Sequence, residues 1–433
     1  MKKIVASVGL VAVSAASGVQ AASLAGITSE GAKPWSVSAT LRGFYDDNIN
    51  TAHSSSAKQS TYGFEVSPAL TLNWVLEQTT MSLGYVYSFR YYDKRPGGNT
   101  DKYDQNHTFN ALLDHSFSER YHLNVQDSFV IGQEPDLLRA QNSFNTYQRV
   151  PGDNIRNYGS INFSAALTRL FGAEIGYANT LFKYDDAGSG FFDDFGNWVP
   201  SRAGLLDRLE HYIHLDGRWQ VQAQTVALLG YRYGQVDYNG NELIGFDDVT
   251  GEAVFSRDRN NRSHSVYLGL EHHFRPDLIA SVRVGGRYTD FYNDRGHSDI
   301  GPTASASLQY VYAPESSLEF GVTHDRNASD LFSAINGNLT TDAESTSVYG
   351  SINHRIMPRL YGSITGQFQD SVISGGVFND ISERFFLVGL NLEYRFNPHL
   401  STHVGYNYDK LDSDITNRGF DRNRVYVGVT ATY

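Results

Sequence analysis

Polar and apolar residues alternate along much of the chain, and several of the polar positions are arginine or glutamate. Charged side chains arranged in this way can bind and orient ions or polar solutes. An alternating stretch forms a strand with two different faces, so these charges lie on the face opposite the apolar residues. A charged face needs water or a partner of opposite charge, because burying an unpaired charge is costly. The charged residues that we expect to line a water-filled interior are Arg42, Arg90, Arg218, Arg232, Arg283, Arg287, Glu65, Glu271, Glu319 and Glu393.

The arrangement of these charges has two interpretations. Arg218, Arg232, Arg283 and Arg287 lie on stretches close in the sequence and could form a basic wall opposite glutamates, an arrangement that orients solutes and selects ions. Alternatively, each arginine pairs with a nearby carboxylate in a structural network, which is the favoured interpretation for any single residue. Both interpretations stay open at the level of the sequence.

Other residue types that carry out chemistry are scattered or absent. The chain has no cysteine, which excludes thiol catalysis, disulfides and cysteine-ligated metals. His211 and His214 are three apart and so face opposite sides of a strand, as do the adjacent His272 and His273. Neither His-Glu-x-x-His nor Gly-x-Ser-x-Gly occurs. We predict no catalytic residue, no metal site and no cofactor; an active site assembled from several strands is the remaining alternative.

Pairs of aspartates mark three polar segments, at residues 185–186, 193–194 and 247–248. Clustered carboxylates can bind divalent cations, but the Asp-x-Asp-x-Asp-Gly spacing of calcium loops is absent. Solvated loops, or loops bridged to lipopolysaccharide by divalent ions, are the favoured interpretation.

The composition indicates which elements position these residues. Hydrophobic residues make up 40% of the chain and aromatic residues 13%, with a mean hydropathy of −0.38. Beyond the N-terminus no stretch offers the ~18 apolar residues that a membrane-spanning helix needs. A transmembrane β-barrel needs apolar residues only at every second strand position, because its other face lines water. The formal net charge of −12 argues against nucleic acid as a partner.

Alternation continues almost to the last residue and predicts an all-β fold, a transmembrane antiparallel up-and-down β-barrel of about 18 strands, within 16–18. The connections between strands are alternately short, as at residues 118–120 and 397–399, and long, as at residues 132–156 and 185–207. Short periplasmic turns and long extracellular loops are typical of such barrels. The two long segments named here could fold inward as a constriction or plug.

Large apolar residues, mostly aromatic, end the strands that lead into short turns. The aromatic residues that we expect at the membrane interface are Trp35, Trp74, Phe117, Trp219, Phe274, Phe396 and Tyr433. The last strand, residues 423–433, resembles the C-terminal signal recognised by the barrel-assembly machinery. The predicted partners are therefore outer-membrane lipid, lipopolysaccharide and that machinery.

One strand does not follow the pattern. In residues 121–131 the apolar phase places Asp127 with Leu123, Val125 and Phe129, and a carboxylate facing the middle of a bilayer is costly. Either a β-bulge changes the phase there or the strand has already left the membrane.

The N-terminus has the three parts of a secretory signal peptide. Lys2 and Lys3 precede an apolar segment, residues 4–16, and residues 19–21 read Val-Gln-Ala, a small-x-small cleavage site. We predict a signal peptide at residues 1–21 and one domain, an outer-membrane β-barrel, at residues 22–433. The predicted location is the outer membrane of a Gram-negative bacterium.

Residues 43–50 read Gly-Phe-Tyr-Asp-Asp-Asn-Ile-Asn at the end of the first strand. This segment resembles the opening motif of the Putative beta-barrel porin-2 family, as do the short proline-containing turns and the terminal aromatic. The resemblance covers the predicted mature chain and implies an outer-membrane barrel, often associated with surface polysaccharide systems. It implies no catalytic residues.

These observations favour a porin-like channel for passive diffusion of small polar solutes or ions. The alternative is a component of exopolysaccharide export or of surface saccharide handling, in which interior Tyr and Arg would bind sugars. A third class, an outer-membrane enzyme or adhesin that uses the long loops, is less favoured.

Overall fold

The computed structural model describes residues 33–95, 102–133, 153–194, 196, 198–238, 240–293 and 297–433. The predicted signal peptide at residues 1–21, and residues 134–152 of the long segment 132–156, lie outside the described residues.

The described chain is almost entirely β-structure. Its strands are β1 (Trp35–Asp46), β2 (Thr61–Val75), β3 (Thr79–Tyr92), β4 (Tyr103–Ser116), β5 (Tyr121–Gly132), β6 (Asn154–Ala166), β7 (Phe171–Tyr184), β8 (Phe191–Phe192), β9 (Trp198–Val199), β10 (Arg208–Gln222), β11 (Thr225–Tyr238), β12 (Leu243–Phe246), β13 (Ala253–Phe255), β14 (Asn261–Arg275), β15 (Leu278–Phe291), β16 (His297–Ala313), β17 (Ser316–Ala328), β18 (Ala334–Ile335), β19 (Asn338–Leu339), β20 (Asp342–Met357), β21 (Leu360–Ser374), β22 (Ser382–Asn397), β23 (Leu400–Ser413) and β24 (Phe420–Thr432). A five-residue helix, Arg202–Leu206, and two 3₁₀ turns, Ser256–Arg259 and Gly376–Phe378, complete the elements. No described helix is long and apolar enough to cross a membrane.

Eighteen of these strands form one closed antiparallel sheet, in which each strand pairs with its neighbours along the chain. The pairs β8–β9, β12–β13 and β18–β19 are small hairpins inside long connections. Closure occurs where β1 pairs with β24, and the Tyr433 amide donates to the Val37 carbonyl at 2.8 Å beside that pairing. The predicted fold and strand number are confirmed.

Most apolar residues of the barrel strands lie on the outer face, where they are exposed, whereas a few, such as Phe385, Leu387 and Leu411, are buried together. Leu41, Leu268 and Val427 are 58%, 66% and 59% exposed, whereas Arg42, next to Leu41, is 8% exposed. Because the period of a strand is two, this alternation assigns the charged and small polar residues to the barrel interior. The distribution is the reverse of that in a soluble protein and matches a barrel surrounded by lipid.

Connections between barrel strands differ sharply at the two ends. Turns of a few residues join the strands at one end, here called the turn end, as at residues 276–277 and 398–399. The other end, the loop end, carries the long connections, including residues 185–207, 239–260 and 329–341. These three connections together are called the cap.

The cap has an apolar core of its own. Ile244, Val254, Ala334 and Leu339 are buried together, with Phe332 packed against them. Ala203 and Leu206 pack against Phe182 and Tyr184, which point inward at the loop end of β7. The described part of residues 185–207 therefore folds inward over the barrel.

The anomaly at Asp127 is explained without a bulge. The pairing of β5 with both β4 and β6 is continuous, so Asp127 lies on the outer face between Ala111 and Gly159. Its Oδ1 accepts a hydrogen bond from Asn157 Nδ2 at 2.8 Å, and Asn157 Oδ1 accepts one from Asn179 Nδ2 at 3.0 Å. Neighbouring amides thus supply the partner that lipid cannot.

Candidate channel interior

The seam of the barrel is the β1–β24 pairing that closes it. The interior next to the seam is organised around one buried glutamate. Glu65 on β2 lies directly opposite Arg42 on β1 and Arg90 on β3. The Arg42 guanidinium donates to Glu65 Oε2, and Arg90 Nη2 lies 3.1 Å from the same oxygen. Ser67 and Ser88 donate to Oε1 at 2.8 and 3.0 Å. Glu65 therefore joins three strands into a fixed, fully hydrogen-bonded group.

A second group lies on β7, β10 and β14. Arg218 Nη1 is 3.3 Å from Glu174 and Arg218 Nη2 is 3.2 Å from Glu271. His273 Nε2 lies 2.9 Å from the other oxygen of Glu271. Arg218 thus bridges two carboxylates that belong to strands on either side of it.

A third group spans a wider arc of the wall. Arg232 on β11 and Arg287 on β15 both contact Asp325 on β17, at 2.6 and 3.0 Å. The strands β14, β15 and β16 separate β11 from β17. The Arg232 side chain therefore contacts a carboxylate on a strand that is not adjacent to its own.

Arg283 has the weakest pairing among the six predicted arginines. Its carboxylate partner is Asp216, whose Oδ2 lies 3.9 Å from Arg283 Nη2, and the Arg283 side chain is 45% exposed. Glu393 accepts hydrogen bonds from Arg395 on the same strand, at 3.2 and 3.1 Å. Glu319 lies between Gln309 of β16 and Ser351 of β20 in the strand register.

These contacts favour the network over the basic wall. Each of the six arginines has a carboxylate within 4 Å. The arginines and carboxylates alternate along the wall, so positive and negative charges are interspersed rather than facing each other across it.

Several interior carboxylates were missed by the sequence analysis. Asp216, Asp325 and Asp409 each contact an arginine from another strand, Asp409 through Arg424 at 2.6 Å. The alternation could have predicted them, because residues an even number of positions apart on a strand lie on the same face. Asp216 is therefore on the face of Arg218, and Asp325 is on the face of Glu319.

One interior cluster has the residue types of a metal site. Among the described residues, Glu174, His214 and Asp216 each offer a ligand atom, and these atoms lie within 4.8 Å of one another. His211, three residues from His214, instead lies beside Tyr177, whose hydroxyl is 2.8 Å from His211 Nδ1. The two histidines diverge as predicted, but a carboxylate from β7 completes a group that the sequence analysis did not anticipate.

The paired loop aspartates serve the cap structure. Burial alone would raise the pKa of Asp186, but hydrogen bonds from the Arg202 side chain and from the amides of Arg202 and Ala203 outweigh it and lower that pKa. Amide donors, above all Gly337 at 2.6 Å, lower the pKa of Asp247 well below its usual range. Both carboxylates are fixed by protein donors rather than left to solvent.

Asp207, which precedes β10, behaves differently. Burial raises its pKa to about 7, and the nearby charges of Glu242 and Asp186 act in the same direction. The Tyr184 amide donates to Asp207 Oδ1 at 2.7 Å, which offsets only part of the rise. Asp207 is therefore a cap carboxyl that titrates near neutral pH.

The motif at residues 43–50 lies at the closure of the barrel. Asp46 Oδ2 accepts hydrogen bonds from Nε and Nη2 of Arg422 on β24, at 2.9 and 2.5 Å. The Asp47 carboxylate accepts hydrogen bonds from the backbone amide and from Nδ2 of Asn423, at 2.6 and 2.7 Å. Asn48 donates to the carbonyl of Asp421 at 2.8 Å. Three consecutive residues of the motif thus tie the first strand to the last.

The predicted interface aromatics are all exposed and all lie at the turn end. Their exposed fractions run from 37% at Trp74 to 68% at Tyr433. Neighbouring rings contact each other, with Trp35 and Tyr433 centred 5.7 Å apart and Phe171 stacked on Trp219 at 6.1 Å.

Comparison with known proteins finds a family match in one part of the chain. Residues 335–433 match the model of the family described as Putative beta-barrel porin 2, the family that the motif at residues 43–50 resembles. No curated protein matches the chain. The family match, with the closed barrel and its apolar outer face, places the chain in the lipid bilayer of a Gram-negative outer membrane.

Several solved structures are similar to the chain at low sequence identity. The outer membrane protein OpdK from Pseudomonas aeruginosa is 11% identical, with 92% of this chain and 99% of that chain covered and a TM-score of 0.42. A BenF-like porin from Pseudomonas fluorescens is 10% identical over 93% and 99%, with a TM-score of 0.44. The siderophore receptor PirA from Acinetobacter baumannii is 9% identical over 94% and 81%, with a TM-score of 0.41.

Proposed function

We propose that this outer-membrane barrel, whose residues 335–433 carry the signature of the Putative beta-barrel porin 2 family, is a channel for the passive diffusion of small polar solutes or ions. The observation that carries the proposal is the composition of the two faces of the barrel wall. The inner face carries charged groups from many strands, and the outer face is apolar and exposed. A lumen of this kind holds water, whereas a solid protein core would be apolar.

The ten predicted charged residues, from Arg42 to Glu393, are proposed to line this lumen. The seven exposed aromatics at the turn end are proposed to lie at the periplasmic membrane interface, where their amphipathic rings are favoured. The loop end would then face outward, beside lipopolysaccharide. A signal peptide at residues 1–21 and recognition of β24 by the barrel-assembly machinery belong to the same proposal.

The cap supports a limit to small solutes. Its three connections are joined to one another, since the Trp198 indole donates to the Leu243 carbonyl at 3.0 Å and the Asp248 amide to the Ala334 carbonyl at 2.9 Å. Arg259 donates to carbonyls of both Leu205 and Ser329, at 3.2 and 2.7 Å. A structured cap over the interior leaves less room than the bare barrel would.

Swelling of proteoliposomes in neutral sugars of increasing size tests the proposal. We expect rapid swelling in a pentose and progressively slower swelling in larger oligosaccharides. Liposomes that contain the unfolded chain are the control. Absence of swelling in the pentose, with protein shown to be folded by its unboiled gel migration, would contradict passive diffusion.

A second candidate function is saccharide handling, favoured by aromatic rings beside interior arginines. The Arg42 guanidinium lies 4.8 Å from the Tyr426 ring, and that of Arg283 lies 5.9 Å from the Tyr267 ring. Tyrosine and arginine together bind sugar rings and carboxylates. Concentration-dependent block of ion current by acidic oligosaccharides would favour this candidate. Neither proposal assigns enzymatic activity or a cofactor to the chain.

A further inference from the structure

Two carboxylates face each other directly on the interior wall. In the pairing of β7 with β10, Glu174 lies opposite Asp216, and Gly176 lies opposite His214. Like charges at directly opposite positions of an antiparallel pair destabilise the sheet unless a cation lies between them. A positive charge between Glu174 and Asp216 would therefore stabilise this part of the wall.

The buried carboxylate of Asp216 has a hydrogen-bond donor at one oxygen and, among the described residues, none at the other. Asp216 is 1% exposed, and its Oδ1 accepts a hydrogen bond from the Tyr267 hydroxyl at 2.5 Å. Among the described residues, no group makes a hydrogen bond to Asp216 Oδ2. A buried carboxylate oxygen without a donor costs free energy in the protein alone, so it indicates a partner that binds there.

The two nearby arginines, Arg218 and Arg283, do not neutralise all the carboxylates of this part of the wall. Arg283 Nη2 is 3.9 Å from Asp216 Oδ2, beyond hydrogen-bond distance, and Arg218 is shared between Glu174 and Glu271. Three carboxylates, Glu174, Asp216 and Glu271, stand against two guanidinium groups, so the local charge is negative by one when the histidines are neutral.

His214 supplies the ligand that distinguishes a transition metal from Ca²⁺ or Mg²⁺, which take oxygen ligands. His214 Nε2 lies 3.4 Å from Glu174 Oε1. Bonds of about 2.0–2.2 Å to Zn²⁺ place neighbouring ligands roughly 3–4 Å apart. The cluster as a whole lies within 4.8 Å, so small side-chain rotations bring three ligands onto one ion.

Neighbouring residues already hold these ligands in position. A Cβ at Gly176 would lie 2.1 Å from His214 Cε1, so glycine is required for the imidazole to lie flat on β7. A Cβ at Gly230 would likewise meet the Tyr267 ring at 2.2 Å, and Tyr267 in turn orients Asp216. Outer contacts of this kind are what fix ligands in metal sites.

We propose that Glu174, His214 and Asp216 form a binding site for a divalent transition-metal ion of the Zn²⁺ class on the inner wall of the barrel. The side chains of Glu174 and His214 are 23% and 26% exposed, so the ion is reached from water in the interior. Water completes the coordination. The site rests on barrel geometry and does not require that the barrel conducts.

Zn²⁺ binding to the refolded chain in detergent, measured by competition with a chromophoric chelator, tests the proposal. We expect one Zn²⁺ per chain, at least tenfold weaker binding in His214→Ala and in Glu174→Gln, and unchanged binding in His211→Ala. The last variant is a matched control, because His211 is on the same strand but contacts Tyr177 instead. Asp216→Asn, which keeps the side-chain shape, is the second variant if His214→Ala fails to fold.

Two results would overturn the site: a wild-type chain that binds no Zn²⁺, or His214→Ala and Asp216→Asn chains that bind it as the wild type does. If the barrel also conducts, bound Zn²⁺ adds positive charge to the wall. Reversal potential should then shift toward anion selectivity in the wild type and in His211→Ala, but not in His214→Ala. A barrel that fails to conduct but binds Zn²⁺ would contradict the channel and leave the site intact.

Discussion

Asp46 at the end of the first strand and Arg422 near the start of the last form a buried ion pair across the seam of the barrel. Arg422 Nε and Nη2 lie 2.9 and 2.5 Å from Asp46 Oδ2, and both side chains are less than 5% exposed. A barrel has no free edge only while its first and last strands stay paired. The pair therefore holds the position on which closure depends.

Asp46→Ala should lower the free energy of unfolding by about 3 kcal/mol, because it removes a carboxylate that accepts three hydrogen bonds from the buried Arg422. Urea unfolding in detergent, followed by tryptophan fluorescence, measures the change. Lys58→Ala is the control, since the partly exposed pair of Lys58 with Asp421 at 2.7 Å, whose side chains are 20% and 42% exposed, should contribute less than about 1 kcal/mol. Equal effects of the two substitutions would show that the seam pair is not special.

The cap should lose stability as pH rises through about 7. The folded-state pKa of Asp207 is raised from its ordinary 3.8 to about 7. The folded cap therefore holds this proton more tightly than the unfolded chain does, and the stabilisation present at low pH is lost between about pH 4 and pH 7.

Hydrogen exchange of residues 198–206 at pH 6 and pH 8, corrected for intrinsic rates, measures this loss. Asp207→Asn should abolish the difference between the two pH values. Asp247→Asn should preserve it, because Asp247 lies on another connection of the cap and its pKa is lowered, outside this window. A wild-type cap equally protected at both pH values would contradict the assignment to Asp207.

Neutralising interior arginines should change ion selectivity. Arg283→Gln removes the most exposed of the six guanidinium groups, so it should shift the reversal potential in a KCl gradient toward cation selectivity. The triple variant Arg232→Gln, Arg283→Gln, Arg287→Gln should shift it further. Arg262→Gln, an exposed arginine paired with Asp290 at 2.8 Å, is the control. An unchanged reversal potential in the triple variant would exclude a role of these charges in selectivity.

Asp127 on the outer face gives a test of lipid exposure. Asp127→Asn keeps an oxygen that accepts the Asn157 hydrogen bond and removes a charge from the apolar face, so the free energy of unfolding should rise by about 1 kcal/mol. Val125→Asn on the same strand should lower it. A large loss of stability in Asp127→Asn would mean that the carboxylate binds a cation or another chain at this surface.

Alternation was sufficient to predict which face each barrel residue occupies, since the period of two is imposed by strand geometry and by lipid. That reasoning placed Arg42, Glu65 and Arg287 on the inner face and Leu41 and Val427 on the outer one. It also predicted the strand number, because each strand ends at a recognisable turn or loop.

Partners within the interior could not be predicted in the same way. Glu174 faces Asp216 only because of the register between β7 and β10, and residues 185–207, which connect them, carry no periodic pattern. Arg232 reaches Asp325 across three intervening strands, which depends on the curvature of the closed wall. The cap likewise depends on contacts among three segments far apart in the sequence.

Single-channel recording of the refolded chain in a planar bilayer tests the central claim most directly. The account predicts discrete, long-lived conductance steps in KCl that are nearly linear with voltage at low potential and absent for heat-unfolded protein. A folded, membrane-inserted barrel that produced no steps above the bilayer background would contradict a water-filled interior, and with it the proposed channel.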